Sequence, residues 1–173
     1  SEMRFDEARR RLDGLLKQNS NDYQVLYEYG QLEQRAGRNA EAARYLMKAG
    51  EIQRLDAGPS LALIDLYISQ RQNSKALDVA KDLAGKFSFS LQVQLALARA
   101  YLANQDVVNA RTILGTATRL AEINPRVLVV IANLQLSAGN PDGASYSIYK
   151  ALQGNPEDLA ALTLAVQVES RKG

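Results

Sequence analysis

The sequence predicts an all-α solenoid of antiparallel helix pairs, and two observations carry that prediction. Five alanines, Ala8, Ala42, Ala76, Ala110 and Ala144, follow one another at intervals of 34 residues. A second column keeps the same register: Gly30, Ile64, Ala98 and Ala132 stand twelve residues before the last four alanines, and Val166 continues the series. A unit of this length holds two short helices with their turns and cannot bury its own apolar face. Stacked copies can.

Further columns fill in the helices. Four residues after each alanine come Leu12, Leu46, Ala80, Leu114 and Ile148, and seven after come Leu15, Ala49, Leu83, Ala117 and Ala151. Those offsets place the side chains on one helical face. Small residues belong where the two helices of a unit cross closely, and large aliphatics belong in the seams. Ala42→Leu should therefore overpack a crossing and cost about 1–3 kcal/mol. Leu114→Ala should empty a seam and cost about 2–5 kcal/mol; thermal melts check both.

Taken in order, the elements are ten helices. The chain opens on a second helix over residues 5–18 with no first helix before it. Four complete units follow at 23–56, 57–90, 91–124 and 125–158, and a lone first helix closes the chain at 159–171. The turns after the first helices carry breakers: Gly37-Arg38-Asn39, Gln72-Asn73-Ser74, Asn104-Gln105-Asp106 and Gly139-Asn140-Pro141-Asp142. Asn140 can cap a helix whose first position is Pro141, where a missing N–H costs nothing. Gly58-Pro59, Asn124-Pro125 and Asn155-Pro156 mark joints between units. Gly50, Gly85, Gly115 and Gly154 fall in or near second helices and should loosen them locally.

Half units at both ends suggest a piece of something longer. Residues 159–168 form an apolar helix in need of a partner, whereas natural solenoids end in polar caps. The chain thus reads as one array over 1–173, excised from a longer repeat protein, with ends able to associate with one another.

These columns resemble the tetratricopeptide repeat, a 34-residue unit with recurrent apolar, Gly, Tyr, Ala and Pro positions. Tyr29-Gly30 before Ala42 and Ala49, Tyr67 before Ala76, Tyr101 before Ala110 and Ala117, and Ala132 before Ala144, Ala151 and Pro156 carry the likeness. The signature tryptophan is replaced by Leu26, Ser60, Gln94, Leu128 and Leu162. The second full unit departs furthest, with Ile64 at the small position and Arg71 where the turn glycine usually stands. The resemblance implies a right-handed solenoid of four full repeats flanked by half repeats.

Composition excludes several kinds of function. The chain has 173 residues with neither cysteine nor histidine, which removes disulfides, thiolate nucleophiles, the usual zinc sites and every Ser-His triad. Asp78/Asp82 and Glu157/Asp158 lie on polar helix faces or in a turn, where solvated carboxylates are ordinary. No glycine-rich run precedes a Lys-Ser or Lys-Thr pair, and no apolar run approaches a membrane span. Net charge is only +2. The one tight basic run, Arg9-Arg10-Arg11, is flanked by Asp6, Glu7 and Asp13 and reads as a solvated face rather than a phosphate-backbone surface. The reading is of a chain with no enzyme activity, no cofactor, no metal and no nucleic-acid partner.

What remains is a binding surface. The resemblance implies that first helices line a concave groove with Gln24, Gln92 and Arg126 on one row, and Tyr27, Leu61, Leu95 and Val129 on the next. Gln31, Asp65, Arg99 and Asn133 form a third row, with Gln34, Ile68, Leu102 and Leu136 beyond. An aliphatic floor with one tyrosine, bordered by amides and two arginines, suits an extended peptide or a partner helix. Domains that clamp acidic chaperone tails carry lysine, arginine and asparagine at several of these positions; only Asn133 would fit here, which argues against that role. A polysaccharide ligand would want more aromatics in the groove. The Asn-Pro joints and the stretch Ala-Gly-Asn-Pro-Asp-Gly-Ala also resemble bacterial repeat proteins of exopolysaccharide export or exosortase sorting, which implies a periplasmic or envelope location. The competing reading is a structural spacer or oligomerisation segment that acts through its ends or convex face.

Overall fold

Two columns of residues punctuate the chain and set where helices begin and turn. The first column is Asp22, Asp56, Ser90, Asn124 and Asp158, spaced at the repeat length. Four of them cap a first helix: Asp22, Ser90, Asn124 and Asp158 accept from the amides of Val25, Val93, Val127 and Ala161. Asp56 departs, because its Oδ1 accepts from the Gly58 amide at 2.7 Å and the next helix begins only at Gly58.

The computed structural model describes residues 2–172, and among these every regular element is a helix. The order is α1 (Glu2–Gln18), α2 (Tyr23–Arg35), α3 (Asn39–Ile52), α4 (Gly58–Ser69), α5 (Asn73–Lys86), α6 (Leu91–Ala103), α7 (Val107–Leu120), α8 (Pro125–Ser137), α9 (Pro141–Gly154) and α10 (Leu159–Lys172). The all-α class and the antiparallel helix pairs are as the sequence predicts. α1 starts earlier than residue 5, at Glu2. Asn140 does cap α9, accepting from the Gly143 amide at 3.0 Å with Pro141 in the first turn. α3, α5 and α7 run unbroken through Gly50, Gly85 and Gly115.

The second column governs the reversal inside each pair. Gly37, Arg71, Gln105 and Gly139 all adopt left-handed backbone, with φ of 74°, 58°, 61° and 64°. The turn geometry therefore holds even where glycine is absent.

The helices gather into two compact units, one through Leu83 and one from Ala84, with the division inside α5. In the first, α2 packs on α3, α3 on α4, and α1 on α2. Its core holds Leu26, Tyr29, Ala42, Leu46, Leu63 and Ile64. The α2–α3 crossing is close: a methyl on Gly30 would stand 2.7 Å from Leu46 Cγ. Glu33 is buried on α2, yet it is paired twice, accepting from Arg9 Nε at 2.7 Å and from Arg38 Nε at 2.8 Å. Arg9 is thus not part of a solvated basic face, although Arg11 is exposed and pairs with Glu7 at 2.6 Å.

In the second unit α6 packs on α7, α7 on α8, α8 on α9 and α9 on α10. A continuous core runs through Ala98, Leu114, Leu128, Ala132, Ile148 and Leu164. It includes a buried polar triad. Ser147 Oγ donates to Gln135 Oε1 at 2.7 Å, Gln135 Nε2 donates to Thr118 Oγ1 at 3.3 Å, and Thr118 Oγ1 donates to the Leu114 carbonyl at 2.9 Å. Each member is satisfied, so the triad orders α7, α8 and α9 against one another instead of weakening the core.

Candidate groove surfaces on the first helices

In the first unit α2 and α4 lie side by side. Gln24, Tyr27 and Gln31 follow one another along α2, and Leu61 and Asp65 along α4, at spacings that keep each set on one helical face. Tyr27, Gln31 and Leu61 are half-buried, while Gln24 and Asp65 are exposed. Tyr27 is not a lone aromatic. Its ring stacks on Tyr23, with centroids 6.2 Å apart and planes 19° from parallel. The Tyr27 hydroxyl leans on the joint before α4, where a methyl on Gly58 would come within 3.3 Å of it. Tyr23 in turn donates to Asp56 Oδ2. That hydrogen bond, then the one from the Gly58 amide, holds the Asp56 carboxyl below its ordinary pKa. Burial first, and the same hydrogen bond second, raise the Tyr23 phenol. Sequence reasoning passed over Tyr23, although its four-residue offset from Tyr27 was a signal for the pair.

In the second unit α6 lies beside α8, and α8 beside α10. Gln92, Leu95 and Arg99 occupy α6; Arg126, Val129 and Asn133 occupy α8. Leu95 and Val129 are half-buried and the other four are exposed. Between α8 and α10 a cleft of about 450 Å³ is lined by Val129, Asn133, Leu159, Ala160, Thr163, Leu164 and Gln167. Ala160, Thr163 and Gln167 stand one repeat after Arg126, Val129 and Asn133, so the groove rows extend onto α10, a step the sequence reading left out.

The chemistry of this cleft is that of an amide-lined apolar bed. Asn133 Nδ2 donates to the Val129 carbonyl at 3.0 Å, and Thr163 Oγ1 donates to the Leu159 carbonyl at 2.7 Å. Thr163 has thereby used its one O–H and its oxygen is left to accept, while Asn133 keeps a second N–H beside its accepting oxygen, and Gln167 can both donate and accept. Such a set matches the N–H and C=O groups of an extended backbone, with Val129 and Leu164 beneath. Arg126 belongs to an adjoining hollow of about 550 Å³ that also contains Glu122, Asn124 and Asp158, so acids temper its charge.

Among the described residues no group of three or more Asp or Glu could hold a metal ion. No helix among them is long and apolar enough to cross a membrane.

Paired antiparallel helices at a fixed 34-residue register, with polar and apolar rows on the first helix of each pair, define a helical-repeat interaction protein. The chain belongs to the tetratricopeptide repeat family, whose sequence profile matches residues 4–59, 61–125 and 95–160. It is accordingly a protein–protein interaction scaffold of the general tetratricopeptide type. No curated protein sequence matches it. Among solved structures it resembles TTC0263, a thermophilic repeat protein of Thermus thermophilus, at 24% identity and a TM-score of 0.67 over 96% of this chain and 90% of that one. It also resembles YrrB, described as a repeat protein with an unusual peptide-binding site, at 15% identity and a TM-score of 0.66 over 97% and 85%. MamA of Desulfovibrio magneticus RS-1 aligns at 15% identity and a TM-score of 0.71 over 90% and 88%. At these identities the likeness speaks for the fold alone.

Proposed function

We propose that the first-helix rows bind an extended peptide segment of a partner protein. The α8–α10 cleft supports this reading: an apolar floor is bordered by Asn133, Thr163 and Gln167, which can meet main-chain groups while Val129 and Leu159 meet a small apolar side chain. The Tyr23–Tyr27 stack with Gln31 and Leu61 supplies a second, separate bed in the first unit. YrrB lends the reading a precedent for peptide binding in this fold. We further infer a bacterial envelope assembly, in line with the resemblance of the Asn-Pro joints to exopolysaccharide-export repeat proteins.

The test is a peptide-display selection against the whole chain, followed by titration of the selected peptides. Val129→Glu with Gln167→Ala should abolish binding while helicity and melting temperature stay near wild type. Peptides that bind the folded double variant unchanged would move the function to the convex face or the ends.

A further inference from the structure

Two phenols on first helices of the first unit reach back to the second helix before them, and both end at the same column of the repeat. Tyr29 on α2 donates to Asp13 Oδ1 on α1 at 2.8 Å. Tyr67 on α4 donates to Met47 Sδ on α3 at 3.8 Å. Asp13 and Met47 stand one repeat of 34 residues apart, and Tyr67 lies one helical turn past Leu63, the counterpart of Tyr29. The contacts differ in their acceptor. A carboxylate is a strong acceptor, whereas a thioether sulfur is a weak one.

That difference leaves Tyr67 poorly matched. The residue is only 9% exposed, and Lys75 Nζ stands 5.6 Å from its ring centroid. Among the described residues the Met47 sulfur is the one hydrogen-bond partner of its hydroxyl. A buried hydroxyl without a good acceptor is costly. Met47 itself is 48% exposed, so a small solute can reach the side chain that this hydroxyl touches.

We propose that Met47 is a site of reversible oxidation by hydrogen peroxide or another hydroperoxide, and that its sulfoxide tightens the α3–α4 contact by giving Tyr67 an oxygen acceptor. A sulfur lone pair attacks one peroxide oxygen, the O–O bond breaks, and the departing hydroxide takes the proton of the transferred oxygen and leaves as water. Sulfur gives up two electrons and the peroxide gains them. The unbranched side chain can turn its new oxygen to the hydroxyl by rotation about its terminal bonds. Methionine oxidation ordinarily disrupts a core, because a polar group replaces an apolar one. Here the side chain is half in solvent and a buried donor faces it, so the sign reverses. The modified contact becomes the analogue of Asp13 with Tyr29. Methionine sulfoxide reductases restore the thioether.

The test uses the whole chain carrying Met3→Leu, so that Met47 is its one methionine. Dilute hydrogen peroxide should add one oxygen at Met47, read by peptide mass spectrometry. The melting temperature should rise by about 2–4 °C, the shift one ordinary hydrogen bond gives a chain of this size. Treatment with the two epimer-specific reductases should return both mass and melting temperature. Tyr67→Phe should take up the oxygen as readily yet show no rise. Met47→Gln, whose amide oxygen stands in for the sulfoxide, should melt above Met47→Leu when the Tyr67 hydroxyl is present and not in Tyr67→Phe, since the two replacements have similar helix propensity. A fall in melting temperature on oxidation, an equal shift with and without the Tyr67 hydroxyl, or a Met47 that resists peroxide would each overturn the proposal.

Discussion

A methyl group placed on Gly30 would stand 2.7 Å from Cγ of Leu46, so α2 and α3 cross at a distance that only glycine permits. Two effects oppose each other in Gly30→Ala. Alanine is favoured over glycine inside a helix by about 1 kcal/mol. Overpacking a filled core costs about 1–3 kcal/mol, and Leu46, at 1% exposure, has nowhere to retreat. Overpacking should win, with a net loss of about 1 kcal/mol in urea unfolding. In a Leu46→Ala background, itself costing about 2–5 kcal/mol, the two clashing side-chain carbons are gone and only the backbone nitrogen of residue 46, at 3.3 Å, stays close, so Gly30→Ala should turn from destabilising to stabilising. A cycle without that change of sign would show that the crossing does not depend on this pair.

Gln105 holds a left-handed backbone, φ 61°, at the column where Gly37 and Gly139 hold 74° and 64°. An L-residue there is strained by about 1–2 kcal/mol, and glycine relieves the strain at the expense of a more flexible unfolded chain. Gln105→Gly should therefore stabilise the protein by about 0.5–1 kcal/mol. Gly37→Ala is the reciprocal control, because no atom lies within 4 Å of where its side chain would begin and only the backbone cost is read. It should lose about 1 kcal/mol. Chemical denaturation of both variants checks the pair of signs.

The period made the helices legible because every repeat repeats the same burial pattern, and columns can be averaged by eye. It made side-chain pairing less so. Ile64 reads as a misfit in a small column until Ala80 is seen to be small in the large column of the same repeat; the exchange has meaning only once the crossing is known to bring these columns together. Glu33 gave no warning either. Its partners Arg9 and Arg38 lie in two other elements, and a carboxylate on a helix is normally solvated. For the groove, the rows on α2, α4, α6 and α8 could be written down from the register alone. Ala160, Thr163 and Gln167 were equally available by adding one more period, whereas for Tyr23 and Tyr27 the four-residue offset shows only that the rings are neighbours, and their stacking depends on ring orientation.

Glu33 is 1% exposed and sits between Arg9 and Arg38. Removing one partner of a buried pair costs about 3–5 kcal/mol because the remaining charge is stranded. Glu33→Ala strands neither arginine, because Arg9 keeps Asp6 at 2.7 Å and Arg38 is half in solvent, so its loss should fall below that range, at about 1–3 kcal/mol for the charged hydrogen bonds removed, by urea unfolding. Arg38→Ala should lose less than about 1 kcal/mol, since Arg9 keeps the carboxylate paired. Equal losses for the two variants would mean that Arg38, not Arg9, is the principal counter-charge.

The two hydroxyl–carboxylate contacts of α2 tie stability to pH on opposite sides of neutrality. Asp56 is held below the ordinary carboxylate pKa by the Tyr23 hydroxyl and the Gly58 amide. A lowered folded pKa contributes stability above the unfolded value near ~4, and that contribution disappears as pH falls through the folded value. Tyr29 is pushed the other way, first by burial and then by donating to Asp13 at 2.8 Å. A raised folded pKa contributes stability that is complete below the unfolded value near ~10 and is lost as pH rises through the folded one. Tyr29→Phe should thus be less stable than wild type at pH 7 by about 1 kcal/mol, the worth of its hydrogen bond. Above about pH 10 the gap should narrow, because phenylalanine has no proton to lose. Tyr23→Phe should show the same narrowing in alkali and a second one below about pH 4, where Asp56 is protonated in the unfolded chain and its partner no longer matters. Melting temperatures of the three proteins across that range decide it: deficits that stay constant with pH would show that neither phenol–carboxylate contact is coupled to folding.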